Sequence, residues 1–170
     1  FAEAFAIACG DGVLMAAPHA GELAPSPGGG PASVRFCVDR LGARRVAHGV
    51  LAIEDEELVA HLAAKKVCLD TCPTSNFLLR VVDELSEHPL PRLLRAGVVC
   101  TVNSDDPLLF GGCLLGEYQL CRDQLGLSDN ELATCARSSF EHSCAPEEVK
   151  QRGIAGVEAW LAKRQRSSKI

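Results

Sequence analysis

The chain has 170 residues, 47% of them apolar and 23% charged, with a formal net charge of −5. That profile fits one ordinary globular domain with a real core and excludes a disordered segment. No basic cluster exceeds the Lys163–Arg166 tail and no run of eighteen apolar residues exists, so neither a nucleic-acid surface nor a membrane span is expected.

Taken in order, Phe1–Cys9 is apolar but lacks an initiating Met and a basic leader, so it reads as the end of a helix rather than a signal peptide. The chain is expected to begin in mid-architecture. Gly10-Asp11-Gly12 closes that helix, and Val13–Ala17 predicts a strand leaving through Pro18-His19-Ala20-Gly21-Glu22. Ala24–Pro31, rich in Pro and Gly without a phosphate-cradling pattern, reads as a flexible connection. Ser33 is placed to cap the next helix, whose Val34, Cys37, Val38 and Leu41 form one apolar stripe. Arg45–Gly49 is a second strand with its exit.

Glu54–Lys66 predicts a helix, acidic at its start and basic at its end, that buries Leu58, Val59 and Leu62. Val67–Thr71 is a third strand, running into Cys72-Pro73-Thr74-Ser75-Asn76. After a short helix at Pro91–Ala96, Val98–Val102 is a fourth strand, and it ends on Asn103-Ser104-Asp105-Asp106-Pro107. Leu114–Leu125 is helical, Ser128–Glu131 has the form of a capping box, and Pro146 opens the last helix. Ile154, Val157, Trp160 and Leu161 of that helix read as packing residues.

Strands alternate with helices about 25–30 residues apart, the βα repeat of a parallel sheet. The fold class is therefore α/β, either half of an eight-stranded barrel or a small open sheet. The polar residues of note, His19, Glu22, His48, Asn76, Asp105 and Asp106, fall just past strand carboxyl ends, where catalytic groups of such folds collect. Each has a plain reading by itself: a loop histidine with a solvated glutamate, a histidine bonded to backbone, an Asx turn.

His61, His88 and His142 read as structural. No feature depresses the pKa of Cys72, and Ser75 lacks the frame of a nucleophile elbow. Nine cysteines without a C-x-x-C pair point to free thiols in a reducing cytoplasm, not to a zinc ribbon or a disulfide scaffold. Taken together, two histidines and two carboxylate sites on different strand exits describe a metal-assisted hydrolase.

Four motifs in order, His19-Ala20-Gly21-Glu22, Arg45-Val46-Ala47-His48-Gly49, Cys72-Pro73-Thr74-Ser75-Asn76 and Asn103-Ser104-Asp105-Asp106-Pro107, resemble the adenosine deaminase family. The resemblance covers essentially the whole chain and corresponds to the carboxyl-terminal half of the family's (β/α)8 TIM barrel. It implies a zinc-dependent aminohydrolase that converts a purine nucleoside and water to an inosine-type product and ammonia. By the same resemblance His19 and Asp105 are zinc ligands, Asp105 also touching the water that the zinc carries. Glu22 protonates the purine ring nitrogen beside the reacting carbon. His48 orients and helps deprotonate that water and stabilises the developing charge, Asp106 fixes the base through its five-membered ring, and Gly21 borders the substrate.

Two departures qualify the match. The family takes its other zinc ligands from a His-x-His pair on the first strand, and no His-x-His occurs in this chain. The 170 residues are thus expected to be a single partial domain that needs an amino-terminal half to work, with an inert fragment or pseudo-enzyme binding module as the alternative of another class. Ser104 stands where many adenosine deaminases have threonine, and serine there also appears in relatives acting on adenine or aminodeoxyfutalosine. Adenosine is the first expectation and these two are its alternatives.

Overall fold

A computed structural model describes residues 1–24 and 26–167. Its strands β1 (His19–Ala20), β2 (Arg45–His48), β3 (Cys68–Thr71) and β4 (Val99–Val102) form one sheet in that order, and every neighbouring pair is parallel. Strand order follows chain order without reversal. A doubly wound open sheet would reverse at a switch point, so the choice left open by the sequence falls to the singly wound, barrel-type arrangement.

The crossovers carry α2 (Gly29–Arg40), α3 (Glu56–Lys65), and α4 (Pro73–Leu78) with α5 (Leu90–Arg95). Ahead of the sheet lies α1 (Ala2–Cys9). After it come α6 (Pro107–Phe110), α7 (Leu114–Asp123), α8 (Asp129–Glu141) and α9 (Glu147–Ser167). Among the described residues no helix is long and apolar enough to cross a membrane.

Strand registry separates the two faces of the sheet. Val46, Leu69 and Cys100 stand in one row and belong to the core with Val34 and Val38 of α2, Leu58 and Leu62 of α3, Leu90 and Leu93 of α5, and Leu132 of α8. Full burial of each such leucine contributes roughly 1.5–3 kcal/mol. The adjacent row, Ala47, Asp70 and Thr101, faces the other way. On that inner face Arg45 makes a two-pronged ion pair with Asp70, the Thr101 hydroxyl donates to Asp70 Oδ1 at 2.7 Å, and Asn103 Nδ2 donates to Thr101 Oγ1 at 2.8 Å. The polar layer lies directly beneath the strand exits.

Two expected elements move. Val13–Ala17 is not a strand: Val13 and Leu14 are exposed, and the Val13 N–H turns back to Asp11 Oδ1 at 3.0 Å. The parallel registry pairs His19 with Ala47, so residues 13–15 lie opposite the turn that follows α2 and have no ladder to join. Pairing begins only where the Ala47 N–H reaches the Pro18 carbonyl.

Ser33 is not a helix cap either. α2 already starts at Gly29 inside the supposed flexible connection, since Pro is tolerated in a first turn and Gly30 allows close packing. A Cβ on Gly30 would lie 2.6 Å from that of Leu51. The capping box at Ser128 forms as expected, with both reciprocal bonds made. On α9, Ile154, Val157 and Leu161 are half-buried, and Trp160 remains exposed along a groove shared with α7 and α8.

Candidate active site

The strand exits bring one cluster together. β1 leaves through Gly21, whose left-handed backbone (φ 63°) lets the turn press on Gly49; a Cβ there would meet Val34 Cγ2 at 2.4 Å. The Gly21 N–H is held by Ser33 Oγ at 3.0 Å and its carbonyl by the Leu51 N–H at 2.9 Å. That locked turn carries His19 on one side and Glu22 on the other.

His48 ends β2. Strict alternation would send its side chain to the helix face with Val46, but its φ of 61° breaks the pleat. The imidazole instead lies over the sheet end, 97% covered, with Nδ1 3.5 Å from Glu22 Oε1 and Nε2 3.8 Å from Asp105 Oδ2. Its ring centroid is 5.3 Å from that of His19.

Asp105 is also left-handed, at φ 54°, and the Ser75 hydroxyl donates to its Oδ2 at 2.6 Å. Strained non-glycine backbone of this kind costs of order 1–3 kcal/mol and concentrates at working sites. Lys66 and Arg80 share the conformation, Lys66 at a helix end where it is ordinary and Arg80 just past α4.

The two aspartates have separate surroundings. Asp106 Oδ1 accepts the Leu108 N–H at 3.0 Å and caps α6, an arrangement that leaves a carboxylate further accepting capacity. Asp105 turns toward His48.

Behind the cluster lies a buried chain that the sequence reading did not anticipate. Asn76 Nδ2 is 3.2 Å from His48 Nδ1, Asn76 Oδ1 is 3.1 Å from His88 Nε2, and the Leu90 N–H reaches His88 Nδ1 at 3.2 Å. His88, read as merely structural, is thereby tied to the site. Asn76 belongs to a recognised motif, so its place was visible; His88 sits 12 residues on, before a proline, with no periodic signal.

Burial is the main influence on the His48 imidazole and lowers its pKa, against the pull of the Glu22 and Asp105 carboxylates. Burial drives His88 down to about 4. It pushes the Cys72 thiol up to about 12, with Asp105 adding to the effect, so Cys72 is no thiolate nucleophile.

Among the described residues no Lys or Arg pairs with Glu22 or Asp105, whereas the deeper Asp70 has Arg45. Two carboxylates beside uncharged imidazole form a donor set suited to a cation. His19, whose ring centroid lies 5.3 Å from that of His48, stands beside that set. A second grouping, His48, Cys72 and Asp105, puts ligand atoms within 4.8 Å of one another, but its thiol would first have to lose its proton and already donates to the Asp70 carbonyl.

A singly wound βα sheet with imidazole and carboxylate groups at its strand exits defines an enzyme-type site of the barrel class. The sequence pattern of the adenosine deaminase family matches residues 1–160, and the chain belongs to that family. It is 49% identical over 161 residues to a putative adenosine/adenine deaminase of Streptomyces coelicolor, covering 95% of this chain and 45% of that protein. To an aminodeoxyfutalosine deaminase of Streptomyces avermitilis it is 42% identical over 161 residues, with 92% and 43% covered. The crystal structure of an adenine deaminase from Arthrobacter aurescens superposes with a TM-score of 0.87 at 35% identity, over 95% of this chain and 48% of that one. The chain thus spans about half the length of the relatives it matches.

Proposed function

We propose that the protein carrying this chain is a zinc-dependent aminohydrolase that converts a 6-aminopurine and water into the 6-oxopurine and ammonia. The observation that carries the reading is the convergence of Glu22 and Asp105 on the two ring nitrogens of His48, from three different strand exits. Adenosine is the first substrate proposed. Adenine and aminodeoxyfutalosine are supported equally by the names of the relatives, and Ser104 stands where many adenosine deaminases have threonine and where relatives acting on those two also have serine.

His19 and Asp105 would hold the zinc, which when bound brings the pKa of its water toward neutrality. Glu22 delivers a proton to the ring nitrogen next to carbon 6, drawing electrons from that carbon. His48 orients the attacking water and stabilises the charge that develops, a service worth more in a site closed to solvent. Ser75 holds Asp105 Oδ2 and so fixes which oxygen faces the reaction. Asp106, with one oxygen pinned by the α6 cap, fixes the base at its five-membered ring, and Gly21 borders the base through its bare Cα.

Two protein ligands do not complete a tetrahedral site. We place the remaining ligands in a second half-barrel that covers the polar inner face of Arg45, Asp70 and Thr101. The nine free cysteines fit a reducing cytoplasm.

The test is ammonia release by the full-length protein on adenosine, adenine and aminodeoxyfutalosine, beside a Glu22→Gln variant and with metal analysis. The expected result is turnover of one of the three, a fall on the order of 10²–10⁴-fold in the variant, and unchanged zinc. Expressed alone, these 170 residues should bind little zinc and release no ammonia. Absence of turnover by the full-length, zinc-loaded protein on all three substrates would sink the proposal.

A further inference from the structure

The buried chain behind His48 has a direction, and that direction can be worked out without assuming any hydrogen position in the site. It starts at a donor whose identity is certain. Leu90 is the first residue of α5, so its backbone N–H has no helical partner, and it points at His88 Nδ1 at 3.2 Å. A backbone amide can only donate, so His88 Nδ1 is the accepting, bare nitrogen. The ring proton of His88 must then be on Nε2.

His88 Nε2 faces the Asn76 side-chain amide at 3.1 Å. A donor there requires the Asn76 oxygen to face His88, which rules out the flipped amide. The Asn76 NH₂ group is thereby turned to His48 Nδ1 at 3.2 Å, and it too can only donate. His48 Nδ1 is therefore an acceptor, and the proton of the neutral ring lies on Nε2, the nitrogen that faces Asp105 Oδ2. Glu22 Oε1, at 3.5 Å from Nδ1, makes a contact but not a hydrogen bond to a ring N–H.

We infer that Asn76 and His88 are positioning residues whose work is to lock His48 in its Nε2–H tautomer, so that a donor rather than a lone pair is presented to the reacting side. Each link is shielded: His48, Asn76 and His88 are all at least 98% buried, and among the described residues no buried side-chain N or O lacks a partner. Water therefore offers no ready substitute for a lost link. Burial also keeps the His88 imidazole, which sets the direction of the chain, uncharged near neutrality.

For the chemistry, the inference decides between the two parts that the family resemblance gives His48. With Nε2 protonated the ring donates to the oxygen of the attacking water and to the charge that builds on it, and the proton of that water passes instead to the Asp105 carboxylate that faces the same nitrogen and from there to the departing ammonia. It rests on the proposed reading for this consequence only. The tautomer itself is read independently of any reaction.

The experiment uses the full-length protein labelled with 15N in histidine, in which a bare ring nitrogen resonates far from a protonated one. His48 is assigned through its own substitution. Wild type is expected to show His48 protonated on Nε2. Asn76→Asp keeps the shape but replaces the donor with an acceptor, and it should invert His48 to the Nδ1–H form. Where the protein turns over a purine, kcat should drop on the order of 10²–10⁴-fold with KM nearly unchanged, the range associated with a general catalytic group held in the wrong tautomer.

His88→Leu removes the link that orients Asn76, and it should give a mixture of the two forms. His88→Gln, whose amide can accept from Leu90 and donate to Asn76, should restore the wild-type pattern and most of kcat. The inference is overturned if wild type shows Nδ1–H, if Asn76→Asp leaves His48 on Nε2, or if His88→Leu keeps a single Nε2–H form. Those outcomes are legible even in a protein without deaminase activity, so a failure of the reaction assignment and a failure of the relay are told apart.

Discussion

The strand-exit cluster and the start of α8 are both built from carboxylates, and they treat them differently. At α8, Asp129 is bonded by Arg164 at 2.9 Å and Arg122 at 2.6 Å, and Glu131 by Arg95 at 2.8 Å and by the Ser128 N–H. Arg164, then Arg122, holds the Asp129 carboxyl below its ordinary range, as Arg95, then Ser128, does for Glu131. Backbone there is relaxed. At the strand exits the carboxylates of Glu22 and Asp105 meet no Lys or Arg among the described residues, on backbone bent into the left-handed region at two non-glycine residues. One network is matched within the chain; the other, among the described residues, is not. That contrast separates a structural acid cluster from a functional one more sharply than residue type does.

The strongest way to break the comparison is to remove Asp105. In the full-length protein Asp105→Ala should abolish most of the bound metal and lower ammonia release on the order of 10³-fold or more. A metal-free Asp105→Gly protein, in which glycine takes the φ of 54° freely, should melt no lower than wild type, because the strain and the unmatched charge leave together. Metal analysis and thermal unfolding check the two halves. Retained zinc with retained rate would show that the site is misassigned, and a clear drop in the metal-free melting temperature would show that Asp105 is as structural as Glu131.

A pair of glycines gives the next largest effect. Gly21→Ala puts a Cβ 2.4 Å from Val34 Cγ2 at a φ of 63°, between backbone and core, and should destabilise by about 2–4 kcal/mol while displacing Glu22. Gly153→Ala, on α9, puts a Cβ 2.3 Å from the Phe140 ring, which borders an open groove and can swing. It should destabilise by about 1–2 kcal/mol and leave ammonia release unchanged. Urea unfolding and initial rates on both variants separate the regions: equal loss of rate in the two would erase the distinction.

How far these regions were legible beforehand follows from what sets each of them. The βα alternation, the capping box and the Asp105-Asp106 exit depend on local pattern, and they stand where the sequence puts them. Val13–Ala17 has strand composition, but a strand exists only where a neighbour is in register, and that neighbour's first residue is Arg45. Gly28–Pro31 has breaker composition, but tight packing on Leu51 makes glycine the fitting residue there. His19, Glu22, His48 and Asp105 were visible as strand-exit residues. The link from His48 to His88 was not, because it runs through side chains brought together by two separate βα connections. Asp and His are among the few non-glycine residues that take left-handed backbone, but residue type alone does not say which of them do so, as His48 and Asp105 do here.

The smallest effect sharpens the matched side of the comparison. Glu131→Gln keeps the capping-box geometry, since an amide oxygen can accept from Ser128, and it removes the charge facing Arg95. The Glu131 carboxyl sits at about 2 in the folded protein, against an ordinary 4.5, chiefly through Arg95. A depressed carboxyl of this kind adds stability above the unfolded-state value, and the contribution disappears as pH falls from about 4.5 toward about 2. Arg95 is more than half exposed, so solvent screening holds the effect at pH 7 to about 0.5–1 kcal/mol. The difference between wild type and Glu131→Gln in urea unfolding should therefore be full at pH 7 and reduced at pH 3, and it should shrink at pH 7 in high salt. Because Glu131 is matched inside the chain, none of these changes should alter the metal content of the full-length protein. A pH-independent difference would mean that the carboxylate acts through packing, and the start of α8 would then no longer serve as the electrostatic counterpart of the strand exits.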